Sequence, residues 1–232
     1  MSRAQTTAGG VPQATPSDGG RSGPARAGGA ETPGAADVRA DSVSARTRQK
    51  AERTDRLLLE AARLFARHGF RGVSLEEIAS AVGISGPALY RHFSNKQAIL
   101  AAVLEDVSQR LVGGARLRVA AAPTPKEALE ALVDFHADFA LGETDRIRVH
   151  NRDLGTLDED SSGAVRRAQR EYVELWVDQL LALEPESTRE QARLKVQAAI
   201  GLLNSTPHSV RHGDPAEVKP VLVRMTLAAL MA

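Results

Sequence analysis

No cysteine occurs among the 232 residues. Disulfides and thiolate metal sites are thereby excluded, and the composition fits a reducing compartment. Aromatic residues make up only 3% of the chain, with a single tryptophan. Strands draw on aromatic and β-branched side chains, whereas the Ala and Leu that dominate here favour helices. No apolar run approaches the ~18 residues that a membrane-spanning helix requires. The Gly/Ala/Pro-rich N-terminus also lacks the apolar stretch of a secretory signal. The expectation is a cytoplasmic protein without a membrane partner. Equally missing are a Gly-rich phosphate loop, an HExxH pair and a Ser or Cys nucleophile motif. The six histidines are scattered without ligand spacing. Neither an enzyme nor a cofactor or metal site is expected.

What the chain does have is an uneven distribution of charge beneath a net value of +1. Residues 46–100 hold ten basic and five acidic side chains, a balance of +5, while residues 101–232 are acidic by −4. A basic first module followed by a larger acidic one points to a polyanion partner for the first alone. Residues 1–45 carry hardly any large apolar side chain. They cannot bury enough surface to offset their ordering entropy, so a disordered tail is expected. Three segments follow: the tail at 1–45, a module at 46–100 and a module at 101–232.

Within the basic module, Arg46, Arg48, Lys50 and Arg53 precede the first apolar periodicity. They read either as an arm that reaches phosphates and the minor groove or as a solvated linker. Leu57, Leu58, Ala61, Leu64 and Phe65 make one helical face, with Thr54 as the expected N-cap and Gly69 as the stop. Ser74 and Glu77 form a capping box for a second helix. Gly83 sits where the chain reverses, since glycine accepts positive φ without a Cβ penalty. A third helix starts near Ser85 with Pro87 in its first turn, and Asn95 caps a fourth that starts at Lys96. Two short helices joined by a tight turn have the spacing of a helix-turn-helix, whose second helix enters the major groove. The alternative is an ordinary αα-hairpin.

The run LLLEAARLFARHGFRGVSLEEIASAVGISGPALYRHFSNKQAIL, from Leu57 to Leu100, resembles the N-terminal domain of the TetR family of transcriptional regulators. The resemblance lies in the Ala-Phe helix ending in His-Gly-Phe, the Ile-Ala-x-x-x-Gly turn, the Leu-Tyr-x-His-Phe helix and Lys96 at the next helix start. The start Ser85-Gly86-Pro87-Ala88 departs from the Lys or Thr of many relatives, so the base preference of that edge does not carry over.

Position assigns physical roles. Ser85 and the backbone at Gly86 face phosphate at a helix N-terminus. Pro87 and Ala88 offer short apolar surfaces to thymine methyls. Tyr90 and His92 donate to the DNA backbone, and Arg91 reaches phosphate or guanine. Arg48 and Arg71 are further phosphate candidates. Lys96 opposes the dipole of its own helix, and a phosphate shared with that N-terminus would remove the conflict. Leu89 and Phe93 are expected in the core.

The second module reads as helices only, so the whole chain is expected to be all-α. Expected helices run from Thr124-Pro125 to Gly142, over about 144–153, from about Ser162 to Leu183, over 187–205 and over 216–231. The acidic run Asp158-Glu159-Asp160 suggests a calcium loop, but Gln169 occupies the twelfth position in place of Glu. A solvated helix start is the better reading.

His136, Arg148, Asn151, Arg152, Tyr172, Trp176 and Asn204 stand on otherwise apolar or short helices, either as lining of a ligand pocket or as satisfied core and surface residues. Arg148, His150 and Arg152 form a basic cluster suited to an anionic effector. The resemblance implies a double-stranded DNA operator, a small-molecule effector and a homodimer through the last two helices. The segments HNRDLGTL, REYVELWVDQL and GLLNSTPHS resemble a branch of the family that responds to acyl-CoA. The expected function is a ligand-released repressor on a palindromic operator. A helical protein-interaction module is the alternative, but it leaves the +5 module and the capped turn unexplained.

Overall fold

The computed structural model describes residues 35–206 and 214–232, with side chains from Arg48 onward. Every regular element among them is helical: α1 Ala35–His68, α2 Leu75–Ala81, α3 Gly86–Tyr90, α4 Lys96–Ala121, α5 Pro125–Gly142, α6 Thr144–Asp153, α7 Glu159–Leu183, α8 Arg189–Leu203 and α9 Pro215–Leu230, with a 3-10 turn at Leu154–Thr156. The tail at 1–34 and residues 208–213 of the loop expected at 208–215 lie outside the described residues.

Helix α1 corrects two expectations. Residues 35–45, expected to be disordered, are helical, and Thr54 is not an N-cap. Its Oγ1 donates to the Lys50 carbonyl at 3.1 Å, one turn back inside the helix. The stretch before Leu57 lacks an apolar face, yet Ala, Arg, Gln, Lys and Glu are all good helix formers, and propensity extends the helix where periodicity is silent. The basic residues 46–53 therefore belong to a helix rather than to an extended arm.

The other caps are where local sequence puts them. Ser74 accepts from the Glu77 N–H at 3.1 Å while the Glu77 carboxylate accepts from the Ser74 N–H at 2.7 Å, closing the capping box. Asn95 caps α4 through the Ala98 N–H, Thr124 caps α5 through that of Glu127, and Asp158 caps α7 through that of Ser161. Each such cap contributes about 1 kcal/mol. Asp158 thus starts a helix, three residues before the expected start. Gly69 and Gly83 have φ of 77° and 69°, the left-handed region that ends α1 and turns α2 into α3.

Two apolar clusters form. The first joins Leu58, Phe65, Ile78 and Leu89 to Ile99 and Leu104 of α4, and includes Val149 of α6, Leu157 and Val165 of α7. The second packs α4, α5, α7, α8 and α9 around Leu132, Trp176, Leu180 and Leu203. Gly114 of α4 lies against Phe135 of α5. A Cβ there would lie 2.2 Å from the Phe135 ring, so glycine lets α5 approach α4 closely, and Arg118 covers the same ring at 3.8 Å.

Candidate nucleic-acid interface and effector cavity

Helix α3 is five residues long and offers little core of its own; Leu89 alone is fully buried. Ser85, Pro87, Tyr90, Arg91 and His92 are exposed, and Gly86 and Ala88 are half-buried. Tyr90 keeps 53% of its surface. The Ser85 hydroxyl makes no cap bond to its own helix. Its acceptor and donor are thus free to face a partner.

A groove of about 540 Å³ runs between α1 and this turn. Lys50, Arg53 and Arg56 of α1 line one wall, and Ala88, Arg91 and His92 line the other. The concave strip is cationic on both sides, which suits a polyanion backbone. Sequence reading placed Arg91 and His92 there but missed that α1 brings Arg53 and Arg56 opposite them. Arg48 is exposed on the same helix.

Lys96 takes a different place. Its Nζ donates to the Val73 carbonyl at 2.6 Å and to the Arg71 carbonyl at 3.4 Å, and lies 4.8 Å from the Phe70 ring centre. The unfavourable position beside its helix N-terminus is therefore offset within the protein, by carbonyl dipoles and an aromatic face, without invoking phosphate. Arg71 itself is exposed.

The second module contains a cavity of about 170 Å³ between α4, α5, α6, α7 and α8. Val107, Leu111 and Ile200 make it largely apolar, and His136, Tyr172 and Asn204 supply polar groups. His136 Nδ1 is 2.8 Å from the Tyr172 hydroxyl and Nε2 is 3.0 Å from Asn204 Oδ1. An amide oxygen only accepts, so Nε2 carries the proton and Nδ1 accepts from the phenol. His136 is 1% exposed, and burial drives its pKa down to about 4. Burial also pushes the Tyr172 phenol up. Both groups are neutral, and the cavity presents hydrogen bonds without charge.

At the cavity edge, Gln169 Nε2 donates to His150 Nε2 at 2.5 Å, and His150 Nδ1 faces Asn151 Oδ1 at 3.5 Å. Burial lowers the His150 pKa as well. Asn151 Nδ2 reaches the Asn204 carbonyl at 3.4 Å. Of the expected ligand residues, the structure thus assembles His136, Tyr172 and Asn204, with Asn151 beside them. Trp176 lies behind the cavity, fully buried, its ring 5.9 Å from that of Tyr172 and 6.2 Å from that of His136.

Arg148 and Arg152 do not join this group. Arg148 pairs with Asp145 at 3.6 Å on the surface. Arg152 forms a fork with Asp153, at 3.0 and 2.7 Å, and donates to the carbonyl of Phe65 at 2.5 Å. The expected anion-binding cluster on α6 is thereby dismantled: each guanidinium already has a carboxylate neighbour. Sequence reading also missed Gln169 and the buried Arg146, which ties α6 to Asp106 of α4 at 3.1 Å.

The low pKa of His136 has a thermodynamic consequence. Between pH 6.5 and about 4 the unfolded chain binds a proton that the folded chain refuses, so this contribution is complete above pH 6.5 and is lost on acidification. From pH 7 to pH 5 His136 should remove about 2 kcal/mol of stability. Urea midpoints at the two pH values will show this loss, and it should shrink in a His136→Gln chain.

Residues 57–103 match the family model described as "Bacterial regulatory proteins, tetR family", and residues 122–208 match "Tetracyclin repressor-like, C-terminal domain". The HTH-type transcriptional activator FasR of Mycolicibacterium smegmatis is 35% identical over 88 residues, 38% of this chain and 40% of that protein. The HTH-type transcriptional repressor KstR2 of the same organism is 31% identical over 138 residues, 56% of this chain and 64% of the relative. The chain thus spans less than two thirds of either curated relative. A crystal structure of AibR in complex with isovaleryl coenzyme A and operator DNA superposes with a TM-score of 0.63 over 75% of this chain and 97% of that one, at 19% identity, a likeness of fold. No described helix is long and apolar enough to cross a membrane.

Proposed function

Because the chain belongs to the TetR family of bacterial transcriptional regulators, we propose that it is a homodimeric repressor released from a palindromic operator by an acyl-CoA-type effector. The observation that carries the reading is the chain of contacts through α6. Residues 150 and 151 bond to the cavity wall at Gln169 and Asn204. The next residue, Arg152, bonds to the last turn of α1. Gln97, in the first turn of α4, donates to the Thr156 carbonyl at 3.0 Å. Val149, Leu154 and Leu157 pack into the core that carries the helix-turn-helix.

An effector entering beside His136 displaces α6, and α6 carries the end of α1 and the start of α4 with it. In a dimer that movement changes the separation of the two α3 helices. The operator favours one separation and the effector the other, and the difference in affinity is the coupling. A dimer also doubles the bases read, which one five-residue helix needs. Leu194 of α8 and Val221 and Met225 of α9 support it: they are 69%, 44% and 52% exposed, an apolar surface beside the small residues Ala198, Gly201 and Ala228.

Contacts to DNA are assigned to Ser85, Gly86, Pro87, Ala88, Tyr90, Arg91 and His92 with Arg53 and Arg56, and further phosphate contacts to Arg48 and Arg71. KstR2 is named as a repressor and FasR as an activator, so the sign of regulation rests on KstR2 alone; AibR was crystallised with isovaleryl coenzyme A, which supports the effector class.

The test is fluorescence anisotropy on the protein's own upstream DNA. Hexanoyl-CoA should weaken wild-type binding about tenfold, within the usual range of coupling. An Arg152→Lys chain, which keeps the charge but not the fork, should bind free DNA nearly as well and lose most of that response. An unchanged response would remove α6 as the connection; no response in the wild type would remove the effector class.

A further inference from the structure

The cavity beside His136, at about 170 Å³, is smaller than the 300–1,000 Å³ of pockets that enclose a whole ligand. A ligand as large as an acyl-CoA therefore leaves most of its mass outside.

Outside lies a surface groove of about 490 Å³ between α7 and α8. It shares Gln169 and Val173 with the cavity, so one pair of residues forms both the cavity wall and the groove floor. Its rim is basic. Arg166 and Arg170 stand one helical turn apart on α7, both exposed and neither in an ion pair or hydrogen bond among the described residues. Arg193 of α8 faces them but is engaged with Glu174, which Arg189 also neutralises at 2.6 Å. These pairs hold the Glu174 carboxyl below its usual range. The acid therefore stays ionised and compensated, leaving Arg166 and Arg170 as the unmatched charge of the groove.

We propose that the effector is an amphiphile bound astride Gln169 and Val173, its short apolar end in the cavity and a phosphorylated head on Arg166 and Arg170. This rests on the acyl-CoA reading and adds to it a length limit and the residues that recognise the head. Guanidinium forks suit phosphate oxygens. The cavity contributes only neutral donors and acceptors, so discrimination for an anion falls to the groove. The neutral carbonyl of the ligand would meet the His136, Tyr172 and Asn204 network.

The experiment is calorimetric titration of the full chain with hexanoyl-CoA, hexanoyl-pantetheine, which lacks the phosphates, and coenzyme A, which lacks the apolar end. Wild-type protein should bind hexanoyl-CoA at least tenfold more tightly than hexanoyl-pantetheine, with the advantage shrinking as salt rises. An Arg166→Ala/Arg170→Ala chain should lose that advantage and keep its affinity for hexanoyl-pantetheine. The double Lys variant should retain part of it. Equal affinity for the two thioesters in the wild type would overturn the head site while leaving the cavity as the effector site. Binding of coenzyme A as tight as that of hexanoyl-CoA would overturn the bridging geometry. No binding of any of the three would overturn the acyl-CoA reading, and the head site with it.

Discussion

An Arg53→Ala/Arg56→Ala/Arg91→Ala chain should bind operator DNA roughly a hundredfold more weakly, and the slope of log affinity against log salt should fall by about 2.7 per protomer. Each phosphate neutralised by a basic side chain releases a counterion and adds about 0.9 to that slope on duplex DNA. The three guanidiniums line the two walls of one groove, two on α1 and one after α3. All three are exposed and form no internal hydrogen bond or ion pair among the described residues, so their removal leaves the fold intact. The loss should be uniform across operator variants, because phosphates carry no sequence information. A Pro87 or Ala88 substitution should instead redistribute preference among sequences. An unchanged salt slope in the triple variant would show that this groove does not follow the DNA backbone.

Trp176→Ala should lower the unfolding free energy by roughly 3–5 kcal/mol, the range for emptying a large aromatic site. That is a large share of the 5–15 kcal/mol by which a domain is stable. Trp176 is fully buried at the centre of the second cluster, with edge-on contacts to His136 and Tyr172. Its indole N–H faces the Tyr172 hydroxyl without reaching hydrogen-bond geometry. A buried donor left unpaired is itself costly, by about 1–3 kcal/mol. Trp176→Phe removes that donor along with part of the ring, so it should destabilise much less than alanine. Urea denaturation of the three chains measures both effects. A phenylalanine variant as unstable as alanine would mean that the indole N–H does find a partner.

The elements that sequence reading placed well are those whose signals are local. The Ser74–Glu77 box, the Asn95 and Thr124 caps and the reversal at Gly83 each depend on residues within three positions of the backbone they shape. The start of α1 was illegible for the opposite reason. Residues 35–53 show no apolar periodicity in the sequence, and Thr54 imitates a cap by its chemistry alone. The internal bonds of Lys96 gave no local signal, because their acceptors, the Arg71 and Val73 carbonyls, lie more than twenty residues earlier.

The same distinction holds for the cavity beside His136. His136, Tyr172 and Asn204 interrupt apolar faces, so each was visible as a candidate, and three helices bring them together. Arg148 and Arg152 were grouped by proximity in sequence, but a short charged helix satisfies its arginines locally, with Asp145 and Asp153. Arg152 then turns out to link α6 to α1 instead of facing a ligand. Arg166 and Arg170 gave no signal, since exposed arginines one turn apart look like any solvated face until α8 closes a groove beside them.

Reciprocity between the two sites tests the account most directly. Trp176, the single tryptophan, reports on the cavity through its contacts with Tyr172 and His136. Its fluorescence gives the affinity for hexanoyl-CoA with and without saturating operator DNA. Linkage requires operator to weaken hexanoyl-CoA binding by the same factor, about tenfold, by which hexanoyl-CoA weakens operator binding. Equal hexanoyl-CoA affinities in the two titrations would contradict a switch that connects the cavity to the helix-turn-helix.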